Sequence, residues 1–204
     1  MNQVIERLEV DTLGMTTRAW QYGAKDGQLL VLVHGFRGDH HGLQGLAQAA
    51  SLLAPELRIV VPDLPGFGES PAVPGRSHDL DLFGEWLREF IAQLDGSDDG
   101  FAILGHSFGS LVVANALSRG LSPTVTALIN PISSPALEGP QALMTQLAIA
   151  YYRVADLLPE TPSRTLLGHP LIVRVTSEFM AKTRDRELRA WIHNQHGQYF
   201  SQFA

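Results

Sequence analysis

The sequence predicts an α/β fold: a parallel-dominated sheet with helices on both faces, followed by a C-terminal helical segment. Three observations predict it. Residues 29–33 are a continuous apolar run, as expected of a strand covered on both faces, and 58–61, 101–104 and 125–129 are further short, mostly apolar strand-like runs. Amphipathic helical repeats alternate with these runs, the signature of strands joined by helical crossovers. Beyond about residue 135 the strand signals cease and helical spacing takes over.

In chain order, residues 3–23 alternate weakly and predict two strands that turn near Leu13 and Gly14. The apolar run 29–33 leads into a loop rich in glycine and histidine, and then a helix carrying Leu43, Leu46, Ala47, Ala50 and Leu53. Residues 58–61 are the next strand, closed by Pro62 and a loop through Pro74. Ser77 is the expected N-cap of a helix presenting Leu80, Phe83, Leu87, Phe90, Ile91 and Leu94, with Asp79 and Asp81 near its positive end. Gly96 should stop it, and Asp98, Asp99 and Gly100 make a turn. A strand at 101–104, a helix at 108–119 stopped by Gly120, and a strand at 125–129 complete the core. The expected division is residues 1–135 as core and 136–204 as a helical cap, with Leu143, Leu147, Tyr151, Val154, Leu188, Trp191 and Ile192 at helical spacing.

Composition excludes several classes. The chain has 204 residues and a net charge of −6, from 15 basic and 21 acidic side chains, and no basic cluster. A nucleic-acid partner needs a phosphate-neutralising patch, so none is expected. Without cysteine there is no disulfide framework, thiolate metal site or cysteine nucleophile. Neither a secretory signal nor an apolar run of bilayer length is visible, so a cytoplasmic protein without membrane attachment is expected. No cofactor or metal is expected; His40, His41 and His78 read as solvated loop residues without a supporting carboxylate pattern.

The chemistry concentrates in three loops. Gly105-His106-Ser107-Phe108-Gly109 fits G-x-S-x-G. Such a pattern arises by chance on the order of one time in ten at this glycine content, so its position decides. It lies between an apolar strand and an amphipathic helix, where a sharp turn exposes the serine hydroxyl and the helix N-terminus faces developing negative charge. Gly105 and Gly109 let neighbouring backbone pass closely. The second loop, His34-Gly35-Phe36-Arg37-Gly38, can aim the Phe36 N–H at an oxyanion beside that of Phe108. His34, Gly35 and His106 adjoin this place; loop packing for His34 and pocket lining for His106 are the expected roles. The third loop, from Asp63 to Ser70, is expected to be a structural turn.

These three segments, each after an expected strand and in this order, resemble the α/β-hydrolase superfamily over residues 3–135. The resemblance implies that Ser107 is the nucleophile, that Phe36 and Phe108 supply oxyanion N–H groups, and that the helical stretch is a cap. Within that resemblance, serine at this position, where some relatives carry aspartate, points away from haloalkane dehalogenases and epoxide hydrolases and toward esterases, lipases, carbon–carbon bond hydrolases and peptidases. Ser110 departs from the family's usual small residue and is expected to affect helix packing.

In that family an acid and then a histidine come after the serine. The cap occupies most of the chain beyond Ser107, so the sheet is expected to be incomplete and the chain truncated before its acid and histidine. An alternative keeps a strand at 171–175 with Glu178 as acid and His193 or His196 as base; against it, 185–198 reads as one helix. A serine without its base is a poor nucleophile. The expected function is therefore hydrolysis of an apolar acyl ester through an acyl-enzyme, weak in this chain alone. A non-catalytic ligand-binding module and a subunit completed by another chain are the alternatives. An incomplete sheet also leaves an edge open to self-association.

Overall fold

The computed structural model describes residues 6–97, 99–133, 142–181 and 183–199. Residues 3–5 of the expected first strand, Asp98 of the expected turn and the expected boundary near 135 lie outside them. The chain divides into two units, the first running to Ile132 and the second beginning at Ser133.

The first unit holds one six-stranded sheet. Its strands are β1 (Glu6–Thr12), β2 (Met15–Gly23), β3 (Gln28–Val33), β4 (Leu57–Pro62), β5 (Phe101–His106) and β6 (Val125–Ile129), in spatial order β1-β2-β4-β3-β5-β6. β1 and β2 form the expected hairpin, with Leu13 and Gly14 both at positive φ in its turn. β2 also runs antiparallel to β4, whereas β4, β3, β5 and β6 are mutually parallel. Parallel pairing places the ends of β3, β4 and β5 at one edge, so the three loops marked in the sequence leave the sheet side by side.

The apolar runs have a structural cause. Leu29, Val31 and Val33 of β3 face one side of the sheet, and Leu32 the other. On the first side α2 (Leu80–Ala92) and α3 (Phe108–Ser118) cover them with Trp86, Leu87, Phe90, Val112, Val113 and Ala116, all fully buried. The Trp86 indole N–H donates to Thr17 Oγ1 at 2.8 Å, which satisfies its only polar atom. On the second side α1 (His41–Leu53) packs Leu43 and Ala47 against Tyr22, Ile59 and Val61. A strand with a helix on each face has no polar position to offer.

The N-cap of α2 is Asp79, not Ser77: its carboxylate accepts from the Leu82 N–H at 2.9 Å from an extended backbone. The two residues are both good caps, and the helix begins at the nearer one. α2 also ends at Ala92, short of Gly96, with Leu94 buried beyond it. Asp81 ties α2 to α3 through Asn115 and Arg119.

β6 is one edge of the sheet, opposite β1, and all five of its residues are exposed. Val125 is 60% exposed, Leu128 43% and Ile129 42%, although the strand is as apolar as its buried neighbours.

The described helices of the second unit are α4 (Ala142–Asp156), α5 (Glu160–Leu167), α6 (Pro170–Met180) and α7 (Arg186–Tyr199). Residues 171–175, considered as a strand, lie within α6, started by Pro170 at a position that needs no N–H. Tyr151 donates its hydroxyl proton to the Leu166 carbonyl at 2.8 Å, joining α4 to the end of α5. Leu147 is 57% exposed, so it does not pack in a core. Leu143, expected in the cap's apolar face, has a side chain outside the described ones.

Candidate active site

Ser107 leaves β5 with φ 53° and ψ −117°, and α3 begins at the next residue. That left-handed backbone is strained for a residue with a Cβ and persists only where its surroundings fix it. They do so with specific bonds. The Ser107 N–H donates to the Ile129 carbonyl at 3.0 Å, and its own carbonyl accepts from the Ser110 N–H at 2.9 Å and the Ser110 hydroxyl at 2.5 Å. Ser110 Oγ in turn accepts from the Ile132 N–H at 3.3 Å. Ser110, expected to matter for helix packing alone, therefore ties the turn to the chain beyond β6.

The two flanking glycines are required by contact. A Cβ at Gly105 would lie 2.6 Å from the Gly109 carbonyl oxygen, and one at Gly109 would lie 2.3 Å from that of Val33. The loop after β3 comes as close: a Cβ at Gly35 would sit 3.2 Å from Ser107 Cβ and 3.4 Å from His106 Nδ1. Ser107, Gly35 and His106 thus meet at one place. The Phe36 ring, 43% exposed, packs edge-on against Phe67 and Phe108 with centroids 5.6 and 5.7 Å away, and Phe83 continues this aromatic group.

His34 is 1% exposed and uses both ring nitrogens: Nε2 accepts from the Leu64 N–H at 2.9 Å and Nδ1 donates to the Gly35 carbonyl at 2.8 Å. Burial holds its pKa below the ordinary 6.5, so the ring is neutral. It buttresses the loop and has no nitrogen left to take a proton from Ser107. Half-burial, and then the neighbouring His34, also lower the pKa of His106. None of the described residues hydrogen-bonds the Ser107 hydroxyl.

The structure adds a buried clip between the loop after β3 and the loop after β4. Asp63 is fully buried; its Oδ1 accepts from the His40 N–H at 2.7 Å and from His40 Nδ1 at 3.1 Å, and its Oδ2 from the Glu69 N–H at 2.8 Å. The Trp20 ring stacks on His40, centroids 3.2 Å apart. The expectation of solvated histidines is corrected for His40, which is buried, and for His41, half-buried and bonded to Asp39; His78 is exposed, as expected, and accepts from the Val73 N–H at 3.1 Å. Gly68 makes room for the clip, since a Cβ there would lie 2.1 Å from Asp63 Oδ2. The sequence signal was an acidic residue directly after a strand, with a glycine five residues later. Asp39, His40 and His41 offer three ligand atoms within 4.8 Å of one another, but the Nδ1 atoms of both histidines are already engaged by carboxylates.

Glu178, His193 and His196, considered as triad members, come together within the second unit, where Ser177 Oγ lies between the two Nδ1 atoms and His193 Nε2 stands 3.2 Å from Glu178.

A serine held at positive φ between a parallel strand and a helix, with a glycine loop closing over it, defines the class of α/β proteins built on a nucleophile elbow. The model of the alpha/beta hydrolase family matches residues 30–204, and the chain belongs to that family. Among curated proteins, the dihydrolipoyllysine-residue acetyltransferase component of the acetoin cleaving system of Pseudomonas putida is 37% identical over 124 residues, 61% of this chain and 31% of that protein. Pimeloyl-[acyl-carrier protein] methyl ester esterase of Aeromonas salmonicida is 37% identical over 109 residues, 53% of this chain and 39% of that protein. The chain thus spans about a third of the length of these relatives. Among solved structures, an esterase from Exiguobacterium antarcticum superposes with a TM-score of 0.68 at 18% identity, over 96% of this chain and 69% of the other. Epoxide Hydrolase A from Mycobacterium thermoresistibile gives 0.61 at 22%, over 89% and 57%.

Proposed function

We infer that the chain carries the nucleophile of a serine hydrolase acting on carboxylic esters with an apolar acyl group. Ser107 Oγ attacks the ester carbonyl carbon, and the new C–O bond pushes the carbonyl electrons onto oxygen. The Phe36 and Phe108 N–H groups receive that oxyanion. Collapse expels the alcohol, which takes up the serine proton, and water hydrolyses the acyl-enzyme. His34, Gly35 and His106 shape the surroundings. The observation that carries this reading is the left-handed Ser107 between β5 and α3, with Gly35 against it. The aromatic group around Phe36 suits an apolar acyl chain, and an esterase among the relatives agrees.

With no described base on its hydroxyl, Ser107 is expected to turn over slowly in this chain, since losing one triad member costs several orders of magnitude. Labelling with a fluorophosphonate tests the reading by intact mass. Wild type should gain one adduct, slowly, and Ser107→Ala none. An unlabelled wild type, or an adduct that survives Ser107→Ala, sinks the assignment. The bare Ser107 hydroxyl also favours a second reading, a non-catalytic module that holds a small apolar ligand; such a module binds the ester and leaves it intact. The exposed apolar edge at β6 supports self-association through strand pairing.

A further inference from the structure

The cleft between α6 and α7 lies wholly within the second unit and is an open, shallow hollow of about 500 Å³. Arg186, Arg189 and His193 recur at helical spacing on α7, and Arg174 and Glu178 lie four apart on α6, so each helix turns one charged face to the cleft. Three guanidiniums therefore meet one carboxylate, in a chain whose net charge is −6. Glu178 Oε1 accepts from Arg174 Nη2 at 2.8 Å, and its Oε2 from Arg189 Nη2 at 2.6 Å. Arg186 forms no ion pair with a described residue, and Asn194 adds an amide to the lining.

Below the charges lies a polar floor. Ser177 is 1% exposed, and its Oγ is 2.6 Å from His193 Nδ1 and 2.8 Å from His196 Nδ1. A hydroxyl has one proton, so it donates to one ring and accepts from the other. His193 Nε2 is buried, stands 3.2 Å from Glu178 Oε1 and makes no hydrogen bond with a described residue. Ser177 therefore joins the two imidazoles, and His193 keeps its Nε2 at the cleft, beside the Glu178 carboxylate. His193 itself is only 9% exposed. A nine-tenths-buried ring nitrogen without a hydrogen bond to a described residue thereby faces the place where Glu178 sits.

We propose that this cleft binds the phosphate group of a small phosphate monoester, with Glu178 as the internal anion the ligand displaces. Arg174 and Arg189 are set for an anion because they already hold one, and the buried His193 Nε2 beside it has no hydrogen bond to a described residue. A carboxylate would only repeat what Glu178 does. A phosphate monoester brings nearly two negative charges and three free oxygens, enough to engage Arg186 as well. The site is independent of Ser107, and its failure would leave the esterase reading untouched.

Calorimetric titration of the whole chain at constant ionic strength, with inorganic phosphate and with glycerol 3-phosphate, tests it. Saturable binding of both at one site is expected, weakened roughly tenfold in Arg186→Gln. Glu178→Gln should tighten binding several-fold, because the competing anion is gone. Arg76→Gln and Glu85→Gln, which break an exposed ion pair of the first unit, should change neither. Circular dichroism confirms that each variant is folded. The proposal is overturned by absence of saturable binding, by equal affinity in Arg186→Gln, or by equal shifts from Glu178→Gln and Glu85→Gln. Binding of inorganic phosphate with glycerol 3-phosphate excluded overturns the assignment to an esterified ligand.

Discussion

Replacing Gly109 by alanine sets two effects of opposite sign against each other. Helix propensity favours alanine by about 1 kcal/mol. Packing opposes it: the new Cβ would lie 2.3 Å from the Val33 oxygen and 2.6 Å from that of His34, roughly 1 Å short of ordinary contact. Both atoms are backbone at the end of β3, so no flexible side chain can yield. Overpacking of a filled core costs about 1–3 kcal/mol, and with immobile partners the upper end applies. The net expectation is a loss of about 1–2 kcal/mol. Gly45 is the control, since it sits inside α1 with nothing within 4 Å of a Cβ; Gly45→Ala should gain up to about 1 kcal/mol. Urea denaturation monitored by circular dichroism reads both as shifts in midpoint at unchanged slope. Separating α3 from β3 also moves Ser107 against Gly35, so phosphonate labelling should fall in Gly109→Ala and not in Gly45→Ala. Equal or greater stability of Gly109→Ala would refute the close-approach argument.

Asp79→Ala removes the cap of α2 and should cost about 1 kcal/mol, whereas Ser77→Ala should change little; urea midpoints distinguish them. Acid should destabilise the fold before the carboxylates titrate. His34 has a folded pKa below its ordinary 6.5, so below that pH the unfolded chain binds a proton the folded one refuses. The stability this provides is present above 6.5 and is lost as pH falls toward the folded pKa, by up to about 1.4 kcal/mol per pH unit. A urea midpoint equal at pH 6.5 and 5.5 would contradict it. Tyr22 should titrate near pH 12, raised first by burial and then by Asp63; a 295 nm titration of wild type against Tyr22→Phe identifies its step. Leu128→Lys at the open edge should lower any association seen by light scattering, and an unchanged mass distribution would point away from β6.

Where the sequence spoke in periods it was legible. The run 29–33 is apolar at every position because helices cover both of its faces, and its alternation with helical repeats and further strand-like runs predicts the order of strands and helices up to Ile129. Ser107 and its glycines were legible for a related reason: the turn admits nothing larger at 105 and 109. Polar side chains buried by distant partners were not. His40 lies in a run of charged and glycine residues that looks solvated, and only the return of β4 beside β3 brings Asp63 and Trp20 to it. Asp79 and Ser77 are equivalent caps on paper; the path of the backbone chooses between them. Ser177 was silent because its partners, His193 and His196, belong to the next helix.

The bond from the Ser107 amide to Ile129 joins the strained turn to the outermost strand. The serine's backbone is therefore only one hydrogen bond removed from the periphery of the sheet. Fraying of β6 releases that amide, and a strand added beside it stiffens the acceptor. Deuterium uptake at the Ser107 N–H thus serves as a gauge of what occupies the edge, readable without a substrate.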